Sequence, residues 1–386
     1  MTVRTLLAGA AMAMALAGAA HAQVQGVTAT EIVIGTHSSL TGAVAVWGVP
    51  STNAIRLRFD EENAKGGIHG RKIRYIVEDT GYQVPNAVQA ANKLLTNDKI
   101  FLMVGALGTP MNNAVLERQL GMNVPNFGPF TAARAMHTPF HKYKFAVLSD
   151  YYAQIRVGLR HFVEKKGVKA PCVMYQDTEF GQEILEGARD QAKAMNIKIA
   201  AESGHKPADT DFTGAITKLR AANCDLVIMG TIVRDTIIPY ATARRLGWNV
   251  AFLGSVATYE QAVASAEGGV TAGMMAMTSQ EVVYPDSATG AAKAFMDAYK
   301  AKFNVDPPFP AQLGYVIADL TIVALKNAGK DLTPDGFVKG VESITNYTSI
   351  FGTKIAYGPN KRSGADEISL AEVKGGRWVT VEKGLK

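Results

Sequence analysis

The stretch Ile32–Gly48, IVIGTHSSLTGAVAVWG, decides the predicted fold of this chain. Three β-branched residues lead into Gly35, small polar residues follow, and Trp47 comes just before a helical pattern that begins at Pro50. This order predicts a strand, a loop carrying an exposed tryptophan, and a helix. In open α/β sheets, ligands bind at loops that follow the carboxyl ends of the strands. We therefore expect a ligand site beside this loop.

Residues 1–22 have the pattern of a secretory signal peptide. Arg4 precedes the apolar run LLAGAAMAMALAGAA, which ends at Ala-His-Ala. The run is shorter than the ~20 residues that a membrane span requires, and we expect no other stretch to span a membrane. Cleavage near Ala22 would release a mature, secreted chain of about 360 residues, which exceeds the usual ~250–300 residues of a single core. Two domains are therefore expected.

Helical and strand patterns alternate twice along the chain. The first half has a helix over 50–64, a strand over 72–80, a helix around 84–95 and a strand over 100–105, and the second half begins the same alternation after Asp150. There we expect a helix through 158–163, strands over 171–177, 197–203 and 225–230, and helices over 181–194 and 211–222. The repeated order predicts two doubly wound, Rossmann-like α/β domains.

The remainder of the chain predicts a mixture of helices and short strands. We expect helices over 259–267, 288–303 and 311–328, a strand over 273–279, and a hairpin around Gly375-Gly376, which alternating residues flank. No low-complexity linker separates the two halves. Strand-like hinges are therefore expected, and these permit closure without free tumbling.

Charge and cysteine content narrow the classes of partner. The formal net charge of +6 is small for 386 residues and no Lys/Arg run occurs, so we expect no nucleic-acid partner. The predicted signal peptide would direct Cys172 and Cys224 to an oxidising compartment. If their strands are neighbours the two thiols can form a disulfide, and two buried free thiols are the alternative.

Catalytic and metal-binding signatures are absent from the sequence. It contains no G-x-S-x-G, P-loop, G-x-G-x-x-G or H-E-x-x-H motif. His137 and His141 have the spacing of a helical metal pair, but Pro139 lies between them and breaks a helix. We therefore expect neither an enzyme, nor a metal, nor a cofactor.

Hydroxyl, aromatic and basic residues cluster where strands are predicted to end. Hydroxyls and free backbone N–H groups at such loops favour binding of a carboxylate. Trp47 and Phe180 would close over an apolar ligand body from opposite domains. The predicted ligand-binding residues are His37, Ser39, Trp47, Leu107, Thr109, Phe130 and Thr131 in the first half, and Phe180, Thr231, Arg234 and Ser255 in the second.

Several of these segments resemble one family. The runs IGTHSSLTGAVAVWG and DEENAKGGIHGRKI, with EDTGYQVPNAVQAANKLL, YQDTEFGQEI and ARRLGWNVAFLG, are similar to type I periplasmic solute-binding proteins of the leucine/isoleucine/valine-binding family, which serve ABC importers. The resemblance implies two lobes, joined by three hinge crossings, that close on a solute delivered to an inner-membrane permease. It places 24–145 with 277–348 in the first lobe and 146–276 with 349–386 in the second. We expect a monomer.

The resemblance also implies roles for individual residues. The ligand carboxylate would be held at loops 106–109 and 129–132, by Thr109 and Thr131, and Phe180 would supply an aromatic wall. Amino-acid binders of the family place a carboxylate near the loop 255–259, where this chain has Val256 and Ala257.

This departure bears on the class of ligand. A buried ammonium without a partner costs several kcal/mol, so we expect an aromatic or branched aliphatic acid without an α-ammonium, with Arg234 or His37 supplementing the anion site. An amino-acid transporter component and a sensory receptor of the same fold remain alternatives. A secreted hydrolase would need an activated nucleophile, which the sequence does not offer.

Overall fold

The computed structural model describes residues 24–386, so the predicted signal peptide lies outside the described residues. The first sheet contains β1 (Glu31–Ser38), β2 (Lys72–Asp79), β3 (Leu102–Val104), β4 (Asn126–Phe127) and β5 (Lys144–Phe145). These strands are all parallel, in the order β2-β1-β3-β4-β5. They alternate with α1 (Ala45–Ala64), α2 (Val84–Asn92, followed by a π-helical turn to Asn97) and α3 (Thr109–Gly121).

The second sheet repeats this topology. It contains β6 (Pro171–Gln176), β7 (Glu202–His205), β8 (Leu226–Gly230), β9 (Ala251–Gly254) and β10 (Met275–Thr278), in the parallel order β7-β6-β8-β9-β10. The helices of this lobe are α4 (Tyr151–Lys166), α5 (Glu179–Ala194), α6 (Thr213–Ala221), α7 (Arg234–Arg245) and the short α8 (Gln261–Ala264). The matching strand orders confirm two doubly wound lobes of one architecture.

The chain returns to the first lobe after β10. There it forms α9 (Gly290–Phe303), α10 (Phe309–Asn327), α11 (Pro334–Glu342) and a small antiparallel pair, β11 (Tyr347–Thr348) and β12 (Lys354–Ile355). It then enters the second sheet again as the antiparallel strands β13 (Ile368–Lys374) and β14 (Arg377–Leu385). The chain therefore crosses between the sheets three times, after β5, β10 and β12.

Two predicted lobe boundaries differ from the sheets. The boundary between 276 and 277 falls inside β10, which stays in the second sheet through Thr278. The segment from 349 was expected in the second lobe, but its Tyr357 packs in the first, with ring centroids 6.1 Å from Phe127 and 5.7 Å from Phe145. Because Tyr357 packs against residues far away in the sequence, no local sequence pattern predicts which lobe it joins.

Helix α10 is largely buried in the first lobe. Among residues 24–386 it is the one helix long and apolar enough to cross a membrane, contrary to the expectation that no such stretch exists outside the signal region. Most of its residues are buried, and it packs against α1 so closely that a Cβ at Gly314 would stand 2.6 Å from the Ser51 carbonyl oxygen. Its apolar composition therefore reflects burial inside the protein.

The hairpin and the cysteine pair follow the sequence patterns. Gly375 and Gly376, at φ +58° and +77°, form the two-residue turn between β13 and β14, as predicted. Strands β6 and β8 are neighbours, and Cys172 and Cys224 form a disulfide with a Cα–Cα distance of 5.8 Å. Of the two alternatives for the cysteines, the structure therefore has the disulfide.

Some element bounds were predicted wrongly. Helix α1 begins at Ala45 and includes Pro50. The proline lacks only the backbone hydrogen bond that residue 50 would donate to the Val46 carbonyl oxygen in the first turn. The strand expected at 197–203 is reduced to β7 at 202–205, and the helix expected at 259–267 is only α8 with flanking 3₁₀ turns. Neither segment has a sustained apolar periodicity, so the pattern did not fix the bounds of these elements.

Candidate ligand-binding site

A cavity lies between the two lobes at the carboxyl ends of their sheets. It is formed by loops that follow β1, β2, β3 and β4 in the first lobe and β6, β8 and β9 in the second, next to the points where strand order reverses. It holds about 480 Å³ of atom-free space, including the part open to solvent. We call it the inner cavity, and it is lined by uncharged residues: Val44, Trp47, Tyr82, Leu107, Gly108, Thr109, Phe130, Thr131, Ala132, Leu148, Tyr151, Phe180, Ile232, Val256, Ala257 and Leu313.

Thr109 and Thr131 meet in this cavity. Their Oγ1 atoms are 2.6 Å apart, and the backbone N–H of Ala133 donates to Thr131 Oγ1 at 3.2 Å. Backbone hydrogen bonds hold the two loops together, from Phe130 N to Ala106 O at 2.8 Å and from Gly108 N to Phe130 O at 3.2 Å. The pair of hydroxyls is therefore held on a rigid support at the start of α3.

Trp47 lines the inner cavity but is not exposed as predicted. It lies in the first turn of α1 with 6% of its surface exposed, and its ring meets Phe309 edge-on at 5.9 Å. The next residue must be glycine, because a Cβ at Gly48 would stand 2.0 Å from the Ser39 carbonyl oxygen. The Nε1 atom of Trp47 is buried and has no hydrogen-bond partner within residues 24–386.

Two tyrosines that the sequence reasoning missed contribute to the wall. Tyr151 meets Phe180 edge-on at 5.1 Å and donates its backbone N–H to Ala132 O at 2.8 Å. Burial raises the pKa of Tyr151 to about 12, and burial likewise raises the pKa of Tyr82, so both phenols stay protonated at neutral pH. The sequence signal that could have identified these two tyrosines is an aromatic residue close to a predicted strand end.

Three predicted hydroxyl residues do not line the inner cavity. Thr231 is buried with its Oγ1 2.5 Å from Thr236 Oγ1, and Ser255 is buried and caps a 3₁₀ turn by accepting from Ala257 N at 3.3 Å. Ser39 is fully buried beneath the start of α1. Each follows a strand, but its side chain points into protein. Their neighbours Ile232, Val256 and Ala257 line the cavity instead.

The two predicted basic helpers are also outside the inner cavity. His37 is fully buried on β1, and burial lowers its pKa to about 4, so it is neutral and cannot supply positive charge. Arg234 begins α7 and donates from Nη2 to the Pro207 carbonyl oxygen at 2.6 Å. Arg234 lines a second, neighbouring cavity.

A carboxylate bridges the lobes beside the inner cavity. Glu183 on α5 accepts the backbone N–H of Arg134, from the loop between β4 and β5, at 3.0 and 3.1 Å. The guanidinium of Arg134 lies 3.6 Å from Glu183 and also pairs with Glu186. Burial raises the pKa of Glu183 to about 7, although these N–H donors and the guanidinium oppose the shift. The contacts join the lobes in a closed arrangement.

Similar proteins place the chain in a family. Residues 31–377 match the family described as "Periplasmic binding protein". The "Leu/Ile/Val-binding protein homolog 8" of Brucella suis biovar 1 (strain 1330) is 24% identical over 397 residues, covering 99% of this chain and 96% of the relative.

Solved structures have the same fold. The "Fatty acid ABC transporter substrate-binding protein from Thermomonospora curvata" superposes with a TM-score of 0.82 at 25% identity, covering 93% of each chain. A solute-binding protein from R. palustris solved "in complex with benzoate" has a TM-score of 0.81 at 16% identity, covering 92% of this chain and 96% of the other. The chain therefore belongs to the periplasmic binding protein family, as a type I solute-binding protein of ABC transporters related to the leucine/isoleucine/valine-binding proteins.

Proposed function

We propose that this protein captures a small carboxylic acid without an α-ammonium group, aromatic or branched aliphatic, in the inner cavity between its lobes. The observation that carries the proposal is the composition of the cavity wall, whose residues are all uncharged. An acid needs hydrogen-bond donors at one end and apolar contact elsewhere. An amino acid needs, in addition, a partner for its ammonium.

The first-lobe side of the cavity suits a carboxylate. Thr109 and Thr131 offer hydroxyls at the amino terminus of α3, where the helix dipole favours negative charge. We assign the ligand carboxylate to this position.

The second-lobe side suits an apolar body. Val256, Ala257 and Ile232 supply aliphatic surface, and Phe180 supplies an aromatic face opposite Trp47. The buried carboxylate of Glu260 is turned away to cap α8, where it accepts the N–H of Ala262. An ammonium in this cavity would lack an ionised partner among the lining residues, at a cost of several kcal/mol.

The competing function is transport of branched-chain amino acids. The Brucella suis relative carries Leu/Ile/Val in its name, whereas the Thermomonospora curvata and R. palustris structures are described with a fatty acid and with benzoate. Identities of 16–25% leave the pocket side chains free to differ, so the side chains of this chain decide between the two.

Calorimetric titration of the chain without residues 1–22 tests the proposal. Benzoate, branched aliphatic acids, leucine and valine are titrated in turn at pH 7.5. Binding of the acids at least tenfold tighter than binding of leucine is expected. Tight leucine binding without acid binding would overturn the proposal in favour of the amino-acid function.

The family implies a location and a partner. We infer that residues 1–22 direct export to the periplasm and are removed near Ala22, and that the closed, loaded protein delivers its solute as a monomer to an inner-membrane ABC permease. A sensory receptor would present the same lobes. Uptake of labelled acid is measured in cells with and without the gene, with the permease expressed constitutively. Loss of a transport component abolishes uptake in these cells, whereas loss of a sensor leaves it intact.

A further inference from the structure

A second, wider cavity adjoins the inner cavity. It shares three lining residues with it, Val44, Tyr82 and Ile232, and holds about 1200 Å³ of atom-free space, including the part open to solvent. We call it the outer chamber. Its other lining residues are Gly42, Ala43, Gly81 and Gln83 from the first lobe, and Gln176, Lys206, Pro207, Ala208, Val233, Arg234 and Asp235 from the second.

Tyr82 stands between the two spaces in an unusual backbone conformation. Its φ of +61°, after Gly81 at +54°, is left-handed, and its N–H donates to Thr80 Oγ1 at 3.2 Å. The ring lies against the start of α3, where its Cε2 is 2.9 Å from the position of a Cβ at Gly108. A non-glycine residue in this conformation costs free energy that other contacts must offset, which is typical of functional positions.

The outer chamber carries a net positive charge, because two cations and one carboxylate line it. Arg234 and Lys206 line it, and neither takes part in an ion pair within the described range 24–386. The lining carboxylate, Asp235, offsets one of these charges but does not pair with either cation; it accepts from His205 Nε2 at 3.0 Å and from Ile232 N at 2.9 Å. The Nε of Arg234 is buried without a partner.

Three helix amino termini face the same space. The chamber wall includes the residues that precede the first turns of α1, α2 and α7, namely Val44, Gln83 and Val233. None of these three caps its helix with a side-chain hydrogen bond. The positive ends of these three helix dipoles add to the two cations in favouring an anion.

We propose that the outer chamber is a second ligand subsite, which binds a carboxylate at the far end of an elongated ligand. The solute is then a dicarboxylic acid, with one carboxylate at Thr109 and Thr131, an apolar body passing Tyr82, and the second carboxylate at Arg234. This inference rests on the proposed function of the inner cavity. It deepens that function by naming the charge at both ends of the solute.

Matched pairs of acids test the second subsite. Calorimetry at pH 7.5 compares benzoate with terephthalate and hexanoate with adipate on the chain without residues 1–22. We expect the dicarboxylate of a pair to bind at least tenfold tighter, as befits one additional charge-assisted hydrogen bond. Arg234→Gln should reduce the ratio of dicarboxylate to monocarboxylate affinity about tenfold. Arg245→Gln, on the same helix but exposed and outside the chamber, should leave the ratio unchanged.

The outcomes separate this inference from the proposed function. If monocarboxylates bind and dicarboxylates bind no tighter, the second subsite is refuted and the inner cavity stands. If Arg234→Gln weakens both members of a pair equally, the arginine supports the fold and the subsite is likewise refuted. If no carboxylate binds the unmutated protein, both inferences fail.

Discussion

The hydroxyl oxygens of Thr109 and Thr131 lie 2.6 Å apart at the wall of the inner cavity, which means that one donates its hydrogen to the other. Thr131 Oγ1 also accepts the N–H of Ala133. Whichever threonine donates, one hydroxyl hydrogen of the pair remains free for a ligand. The pair therefore acts as a single donor whose orientation is fixed by its own hydrogen bond.

Replacing either threonine with valine should weaken acid binding about tenfold or more, because a hydrogen bond to a charged group contributes ~1.5–3 kcal/mol. The double variant should lose less than the sum of the single losses, since the two groups share one hydrogen bond. Titration with the best-binding acid measures each affinity. Thr321→Val, a buried threonine on α10 outside the cavity, is the control, and additive losses would contradict the coupled pair.

Trp47 allows apolar contact and hydrogen bonding to be separated. Trp47→Phe keeps an aromatic surface against Phe309 but removes the indole N–H, which lacks a partner within residues 24–386. We expect Trp47→Phe to weaken binding of an acid severalfold and Trp47→Ala to weaken it further, with thermal unfolding recorded for both. Unchanged affinity in both variants would make Trp47 a core residue only.

The disulfide should matter for stability and not for binding. Cys172 lies at the amino end of β6, whereas Phe180, which lines the inner cavity, follows the carboxyl end of the same strand. The disulfide and the cavity are therefore at opposite ends of β6. The bridge closes a loop with a sequence separation of 52, for which chain entropy predicts about 4 kcal/mol as an upper value. The double variant Cys172→Ala/Cys224→Ala should unfold at lower denaturant concentration with unaltered ligand affinity. A tenfold loss of affinity in the folded variant would contradict this separation.

The fold was predictable because it depends on local periodicity, whereas the site depends on side-chain direction. The order of strands and helices followed from apolar spacing, and the resemblance pointed to Thr109, Thr131 and Phe180. Thr231 and Ser255 also follow strands, yet they face protein, because a position at a strand end does not determine which face a side chain takes. Tyr82 was missed because the direction of its side chain depends on a left-handed backbone conformation, which no sequence pattern predicted.

Glu183 should make stability depend on pH. Its pKa in the folded, closed protein is raised by burial to about 7, above the ordinary value of 4.5. Below the ordinary value the carboxyl is neutral in folded and unfolded chains alike, so it brings no penalty. As the pH rises from about 4.5 to 7, this carboxyl ionises in the unfolded chain while it stays protonated in the folded protein. The free energy of unfolding therefore falls by ~1.4 kcal/mol for each pH unit in this range. Above the folded value the penalty is complete.

Glu183→Gln should remove this pH dependence, because the amide cannot ionise but still accepts the N–H of Arg134. Melting temperatures measured at pH 5 and pH 8 should show the variant gaining stability relative to the unmutated protein at the higher pH. The matched control is Glu186→Gln. Glu186 also pairs with Arg134, but half of its side chain is exposed, so this substitution should change the pH dependence of the melting temperature little. Parallel pH profiles for the unmutated protein and Glu183→Gln would mean that closure of the lobes does not hold this carboxyl in a protonated form.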